Sequence, residues 1–363
     1  MLYLISCFLL NLFVPTLTME EQTVYGEMMQ MSLPSVYVSE EMLTYHVNEE
    51  EENTNFDIYA QLEMENENAL QSVLEENIQG EIQEGVIQEE VQEEVQEEVG
   101  SEQQEVAANS ALYLNVEKLR DFDFLIKNYY QIDQTTTIGS DMLNVDKLLS
   151  YDVHVDKNAS GPQILIYHTH SQETYADCVE GDATHSVVAV GEELARLLRE
   201  NYGVEVLHHT GEYDVGDRDH AYSNVEPALT DILAQNPSIQ MVIDLHRDGV
   251  AETTHLVTEI NGKPTAQIMF FNGLCRTTAR GELTATPNPY LDTNLALSFQ
   301  LQMIANEKYP GFTRRIYLKG YRYNMHMCPK SLLIEVGAQT NTFEEAMNAM
   351  EPLSEVLGQL ILQ

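Results

Sequence analysis

The sequence predicts an α/β fold: an open, mostly parallel twisted sheet with helices on both faces. Three observations predict it. From residue 164 onward, short apolar runs of strand length alternate with longer segments whose apolar residues recur at helical spacing. Turn residues separate the two kinds, above all Gly203, Asn236-Pro237 and Pro310-Gly311. Three of the apolar runs end in titratable side chains, as expected where an open α/β sheet presents its site.

The elements follow in order. Residues 112–130 carry Leu114, Val116, Leu119, Phe122 and Leu125 at helical spacing, and 143–149 read as a second short amphipathic element. Residues 156–162, with Asn158, Ser160 and Gly161, form a turn. Ile164 to Tyr167 is a short buried strand. Residues 186–201 form a helix with Val187, Val190, Leu194 and Leu198 on one face, stopped by Gly203. A strand over 204–208, a helix over 225–235 and a strand over 241–245 come next. A strand over 265–271 and a helix over 294–306 follow. Residues 331–334 are the last strand. The last helix spans 342–362, opened by a capping box of Thr342 and Glu345.

Charge is unevenly placed. The net charge of the 363-residue chain is −41, yet residues 1–109 contain 25 Asp and Glu and no Lys or Arg. The remainder holds 34 acids against 18 bases. Such a chain repels nucleic acid and anionic headgroups rather than binding them. Residues 1–17 are apolar and resemble the core of a signal peptide or a short membrane anchor, without basic residues at the start. The expectation is an extracytoplasmic protein, membrane-associated or secreted. Residues 18–107 read as an acidic disordered linker. In it, residues 88–99 repeat a four-residue unit of Val, Gln and two Glu, a self-repelling spacer. Residues 108–160 are an amphipathic lead-in expected to pack on a catalytic domain over 161–363. The four cysteines (Cys7, Cys178, Cys275, Cys328) show no CxxC spacing and no cysteine-based zinc site.

The chemistry gathers at three strand ends. The first is Ile164-Leu-Ile-Tyr-His168-Thr-His170-Ser-Gln-Glu173, the second Asp244-Leu-His246-Arg247-Asp248, the third Leu332-Leu-Ile-Glu335. Two imidazoles and one carboxylate make a His2Glu zinc set and leave a position for water. One of His168 and His170 is expected to ligate, with His170, nearer the loop, preferred. His168 then orients substrate or packs below it. Glu173 and His246 complete the set. Glu335 follows three apolar residues, so partial desolvation raises its pKa and suits it to general acid/base work. Asp244 is a candidate acceptor for a ligand histidine. Arg247 either binds a substrate carboxylate or pairs with Asp248. Asn324 and Arg322 either line a substrate groove or serve the structure, the two readings standing level. There is no phosphate-binding Gly-rich loop and no GxSxG elbow.

At these residues the chain resembles the stage II sporulation protein P family. The resemblance covers about 110–363. It rests on the collinear set Gly161-Pro-Gln-Ile-Leu-Ile-Tyr-His-Thr-His-Ser-Gln-Glu173, Ile243-Asp-Leu-His-Arg-Asp248, Tyr317-Leu-Lys-Gly-Tyr-Arg-Tyr-Asn-Met-His326 and Lys330-Ser-Leu-Leu-Ile-Glu-Val-Gly-Ala-Gln-Thr-Asn341. The family is similar to zinc N-acetylmuramoyl-L-alanine amidases. The resemblance implies peptidoglycan as substrate, membrane anchoring, and action in endospore engulfment with the stage II sporulation proteins D and M. It implies zinc bound by His170, Glu173 and His246, with Glu335 as the catalytic acid/base. In general zinc amidases the glutamate ligand lies nearer the following helix, where this chain offers His185 but no Glu. Two other readings stay open, a non-catalytic wall-binding module and a zinc peptidase cutting cross-bridges.

Overall fold

The computed structural model describes residues 116–179 and 181–361. The apolar segment 1–17 and the acidic segment 18–107 lie outside the described residues, as do positions 112–115.

The lead-in forms α1 (Val116–Leu119), α2 (Phe122–Tyr129), the edge strand β1 (Tyr130–Ile132) and α3 (Val145–Ser150). The single helix expected over 112–130 is divided because Asp121 starts a new one: its side chain accepts from Phe124 N. β2 (Ile164–Tyr167) is fully buried. α4 (Val187–Tyr202) is capped by Ser186 and stopped by Gly203 in the left-handed region, φ 67°. β3 (Val206–His208) and α5 (Ala221–Gln235) follow, the helix opening four residues earlier than its apolar period suggests. β4 (Met241–Asp248) runs three residues beyond the expected end, through His246, Arg247 and Asp248.

The strand expected over 265–271 is split. Its start belongs to a hairpin, β5 (Val257–Ile260) and β6 (Lys263–Ala266), and its remainder to β7 (Ile268–Gly273). A small ribbon, β8 (Arg276–Thr277) and β9 (Gly281–Glu282), precedes α6 (Leu291–Lys308). β10 (Ile316–Lys319) is unannounced by the apolar pattern, and β11 (Ser331–Ala338) doubles the expected length. The C-terminal helix is two pieces, α7 (Phe343–Asn348) and α8 (Met350–Ile361), separated at Ala349. The Thr342–Glu345 capping box is formed as expected.

Seven strands make the main sheet in the order β1-β10-β7-β11-β4-β2-β3. All neighbouring pairs are parallel except β7 with β11. That one antiparallel seam sets β1, β10 and β7 against the direction of the other four strands. On one face Ile164, Ile166, Ile243, Leu245, Leu332 and Ile334 enter the large core with residues of α4, α6 and α8. Each such burial contributes about 1.5–3 kcal/mol. Leu119, Leu125, Tyr129 and Leu148 of the lead-in join the same core. On the other face Leu165, Tyr167 and Val242 pack with Val225 and Leu229 of α5. Phe271, Tyr323, Met325 and Leu333 form a separate cluster.

Candidate active site

β2 ends at Tyr167, and the chain turns before reaching its functional residues. Asp244 of β4 ties that turn down. It accepts from Thr169 N (2.9 Å) and Thr169 Oγ1 (2.6 Å). A second buried acid, Asp214, accepts from Ser171 Oγ (2.9 Å) and Gln172 N (3.2 Å). Two carboxylates therefore shape the peptide on which His168, His170 and Glu173 stand.

A cavity of about 180 Å³ receives His170, Glu173, His246 and Glu335. The register of β11 on β4 makes Glu335 the direct partner of His246. The rings of His170 and His246 lie 5.4 Å apart, edge to face. Glu173 is buried and fully engaged. Its Oε1 accepts from Arg218 Nη2 (2.9 Å), its Oε2 from Arg247 N (3.0 Å), and Oε2 lies 3.5 Å from His246 Nδ1. Asp244 Oδ1 sits 2.8 Å from His246 Nε2, off the line of a proper hydrogen bond, so this contact is electrostatic.

Burial and neighbouring charge set the protonation states. Burial, then the cation of Arg218, pushes His170 down to about 3, leaving a neutral ring. Burial opposes charge on His246, but Asp244 and Glu173 outweigh it and raise its pKa well above the usual value. Burial alone would raise the Glu173 carboxyl; His246, His170 and Arg247 outweigh it and hold it well below the ordinary range. Glu335 moves the other way. Burial and the charge of Asp248 push it up to about 8. The residue is partly exposed to the cavity, yet its Oε2 is buried without a hydrogen-bond partner.

The donor chemistry fits a zinc-type cation. His246 turns Nδ1 toward Glu173 Oε2 (3.5 Å) and Nε2 toward Asp244, His170 Nδ1 is buried without a hydrogen-bond partner, and the two rings border one space with the ionised Glu173 carboxylate. As they stand, no three His, Cys, Asp or Glu side chains among the described residues are grouped to hold a metal ion. Ligation would displace the proton that His246 holds between Asp244 and Glu173.

Two candidate substrate residues lie off the cavity and take the packing role that was their other reading. His168 does not line the cavity. Its Nδ1 is 2.8 Å from Leu245 O and its Nε2 2.9 Å from His208 Nε2, so it is a buried connector beneath α4. Gly191 of α4 packs on that ring, where an added Cβ would come within 2.7 Å. Asn324 is likewise structural. It is buried, takes a left-handed φ of 51°, and donates through Nδ2 to Tyr222 O. Arg322 pairs with Glu226, away from the cavity lining. His185 is bonded to Asp182 and does not line the cavity. Arg247 does line it, but its guanidinium donates to the carbonyls of Thr174 and Asp248. The Asp248 carboxylate instead pairs with Arg314 at 2.5 Å.

Arg218, Tyr222, Lys319 and Tyr323 line the cavity without having been anticipated. Arg218 and Tyr222 flank the start of α5, and an earlier helix start would have brought Tyr222 into view. Lys319 ends the unanticipated β10. Tyr323 sits one position before Asn324 in a motif already conspicuous in the sequence.

A family model described as Stage II sporulation protein P matches residues 32–358. The chain belongs to that family. One family member, the stage II sporulation protein P of Bacillus subtilis (strain 168), is 26% identical over 218 residues, 54% of this chain and 50% of that protein. The chain thus spans about half the length of this curated relative. Among solved structures, the N-acetylmuramoyl-L-alanine amidase AmiC2 of Nostoc punctiforme is similar with a TM-score of 0.35 and 12% identity, over 55% of this chain and 98% of that one. The CwlD amidase from Clostridioides difficile, solved in complex with the GerS lipoprotein, gives a TM-score of 0.33 and 12% identity, over 55% and 98%.

Proposed function

We propose that this chain is a sporulation peptidoglycan hydrolase, a zinc-dependent N-acetylmuramoyl-L-alanine amidase. The bond cleaved is the amide between the lactyl group of N-acetylmuramic acid and L-alanine. One observation carries the reading: Glu335, with a buried and unpartnered carboxyl oxygen, is the cross-strand partner of His246 in a cavity shared with His170 and Glu173. Family membership supports the sporulation context.

His170, Glu173 and His246 would hold the zinc ion. Bound there, zinc would polarise the amide carbonyl and lower the pKa of water to about 7. Glu335 takes a proton from the attacking water and delivers it to the departing nitrogen. A carboxyl brought to about 8 by burial and Asp248 suits both directions of transfer near neutrality. Asp244 orients His246. Arg218 and the Arg247 backbone N–H hold Glu173 in place.

The same reading places the protein outside the cytoplasm at the sporulation membrane, with an N-terminal anchor and the stage II sporulation proteins D and M as partners. Among the described residues, no helix is long and apolar enough to cross a membrane. The test is digestion of purified peptidoglycan with the full chain, with and without chelator, and mass spectrometry of the new termini. Free lactyl ends and L-alanine amino ends, lost on chelation and restored by zinc, are expected. Cuts confined to peptide cross-links would replace the amidase by a peptidase.

A further inference from the structure

Lys319 ends β10 in the floor of the cavity. It is 4% exposed, lines the same space as Glu335, and its Nζ has no hydrogen-bond or ion-pair partner among the described residues. Taking an ammonium group out of water without a counter-ion is strongly unfavourable, so a buried lysine normally has a carboxylate in contact. Three carboxylates act on Lys319 from nearby, those of Asp133, Asp248 and Glu335. Each is committed or unsuited. Asp133 accepts from Tyr317 Oη and from Thr135. Asp248 is bonded to Arg314 and to Gly249 N. Glu335 stands two strands away on β11, with no contact to Lys319. Burial lowers the pKa of the Lys319 ammonium from its ordinary value, the three carboxylates oppose that shift, and the group opens onto the cavity.

Register says how far it stands from the reacting centre. Leu333 of β11 pairs with Phe271 of β7, and Phe271 with Tyr317 of β10. Lys319, two residues on, shares a sheet face with Leu333 and Glu335, but β10 runs against β11, so it stands two strands (roughly 10 Å) across and four residues (roughly 13 Å) along the sheet from Glu335, a gap its long side chain only partly closes. That separation is too large for a role on the reacting amide. It suits a group of the substrate several bonds removed from it.

We propose that Lys319 is a specificity-determining residue that binds a free carboxylate on the peptide stem of the substrate. This rests on the peptidoglycan hydrolase reading above. Stem peptides carry side-chain or terminal carboxylates that cell walls also present as amides, so the contact separates two chemical classes of substrate. A carboxylate supplies the counter-charge that the fold leaves out; an amide does not. In a chain of net charge −41, a local cation is also what draws an anionic stem into the cavity against the overall field.

The experiment uses the full chain and two muropeptide probes that differ only in a free or amidated stem carboxylate. Cleavage by wild type, K319M and K319R is followed as kcat and KM, and probe binding is measured on E335Q and on E335Q/K319M. The wild type should prefer the free acid at least tenfold in kcat/KM, chiefly through KM. K319M should bring that ratio near one while leaving kcat on the amidated probe within about twofold. K319R should restore part of the preference. Binding to E335Q should show the same preference, and E335Q/K319M should lose it. K319M should unfold no earlier than wild type on heating, since no ion pair is removed. An unchanged acid-to-amide ratio in K319M, with cleavage intact, overturns the role of Lys319 and leaves the hydrolase reading standing. Binding of the free acid without cleavage by wild type overturns the hydrolase reading alone. Neither binding nor cleavage of the free acid overturns both. A K319M protein that melts early, with K319R restoring the melt but not the preference, assigns Lys319 to structure and overturns the proposal.

Discussion

At the scale of single residues, environment divides chemically similar groups into different roles. Glu173 and Glu335 share one cavity, yet one is held ionised by histidines and Arg247 while the other is pushed up to about 8. Glu335→Gln should lower amide hydrolysis by about 10²–10⁴-fold with the fold retained, the usual loss for a general acid/base, read as peptide release. The same shift predicts a stability signature in the metal-free chain. A carboxyl whose folded pKa lies above its unfolded value keeps its proton in the native state while the unfolded chain releases it. Stability therefore falls as pH rises from about 4.5 to about 8, by at most on the order of 5 kcal/mol. Thermal melts of chelated wild type should show that decline, and E335Q should show much less of it. Histidines divide similarly. His168 and His170 part company in the structure because residues two apart share a face only while a strand continues, and β2 stops at Tyr167. His168→Ala should cost about 1–3 kcal/mol in urea unfolding, from the stranded Leu245 carbonyl and His208, with KM unchanged in the folded fraction.

At the scale of elements, patterns with a strong period were legible and contacts across the chain were not. β2, α4 and the capping box at Thr342 could be read because apolar spacing and cap chemistry are local. β1 and β10 could not, since Tyr130-Gln-Ile and Ile316-Tyr-Leu-Lys are too short to show alternation and are fixed by each other. The extension of β11 through Glu335 to Ala338 likewise comes from pairing with β4 and β7. For the site, the residue types at three strand ends marked His170, Glu173, His246 and Glu335. Arg218 and Lys319 carried no such signal, because their place depends on which strands become neighbours. Gly273 shows how tightly those neighbours fit. It pairs with Lys319, and an added Cβ would lie 2.1 Å from the Tyr321 carbonyl oxygen, a backbone atom with little room to yield. Gly273→Ala should destabilise by about 1–3 kcal/mol in urea unfolding, from forced backbone movement.

At the scale of the whole molecule, the catalytic reading must operate inside a strongly acidic chain. A net charge of −41 repels an anionic wall polymer at long range, while the contact at Lys319 is sheltered from solvent. Initial rates on anionic peptidoglycan should therefore rise as ionic strength goes from about 20 to about 150 mM, where screening shortens the repulsion. A steady fall over that range, in rates measured at fixed pH, would mean that exposed attractive contacts govern association instead. The antiparallel seam has a consequence in time. β11, the strand that joins the two opposed blocks of the sheet, is also the last strand to be synthesised. Until residues 331–338 arrive, β1, β10 and β7 have no strand to connect them to β4, β2 and β3. Glu335 and the register that sets it against His246 arrive on that same strand. A chain emerging N-terminus first would thus bring Glu335 beside His246 only after the other strands of the main sheet had been made.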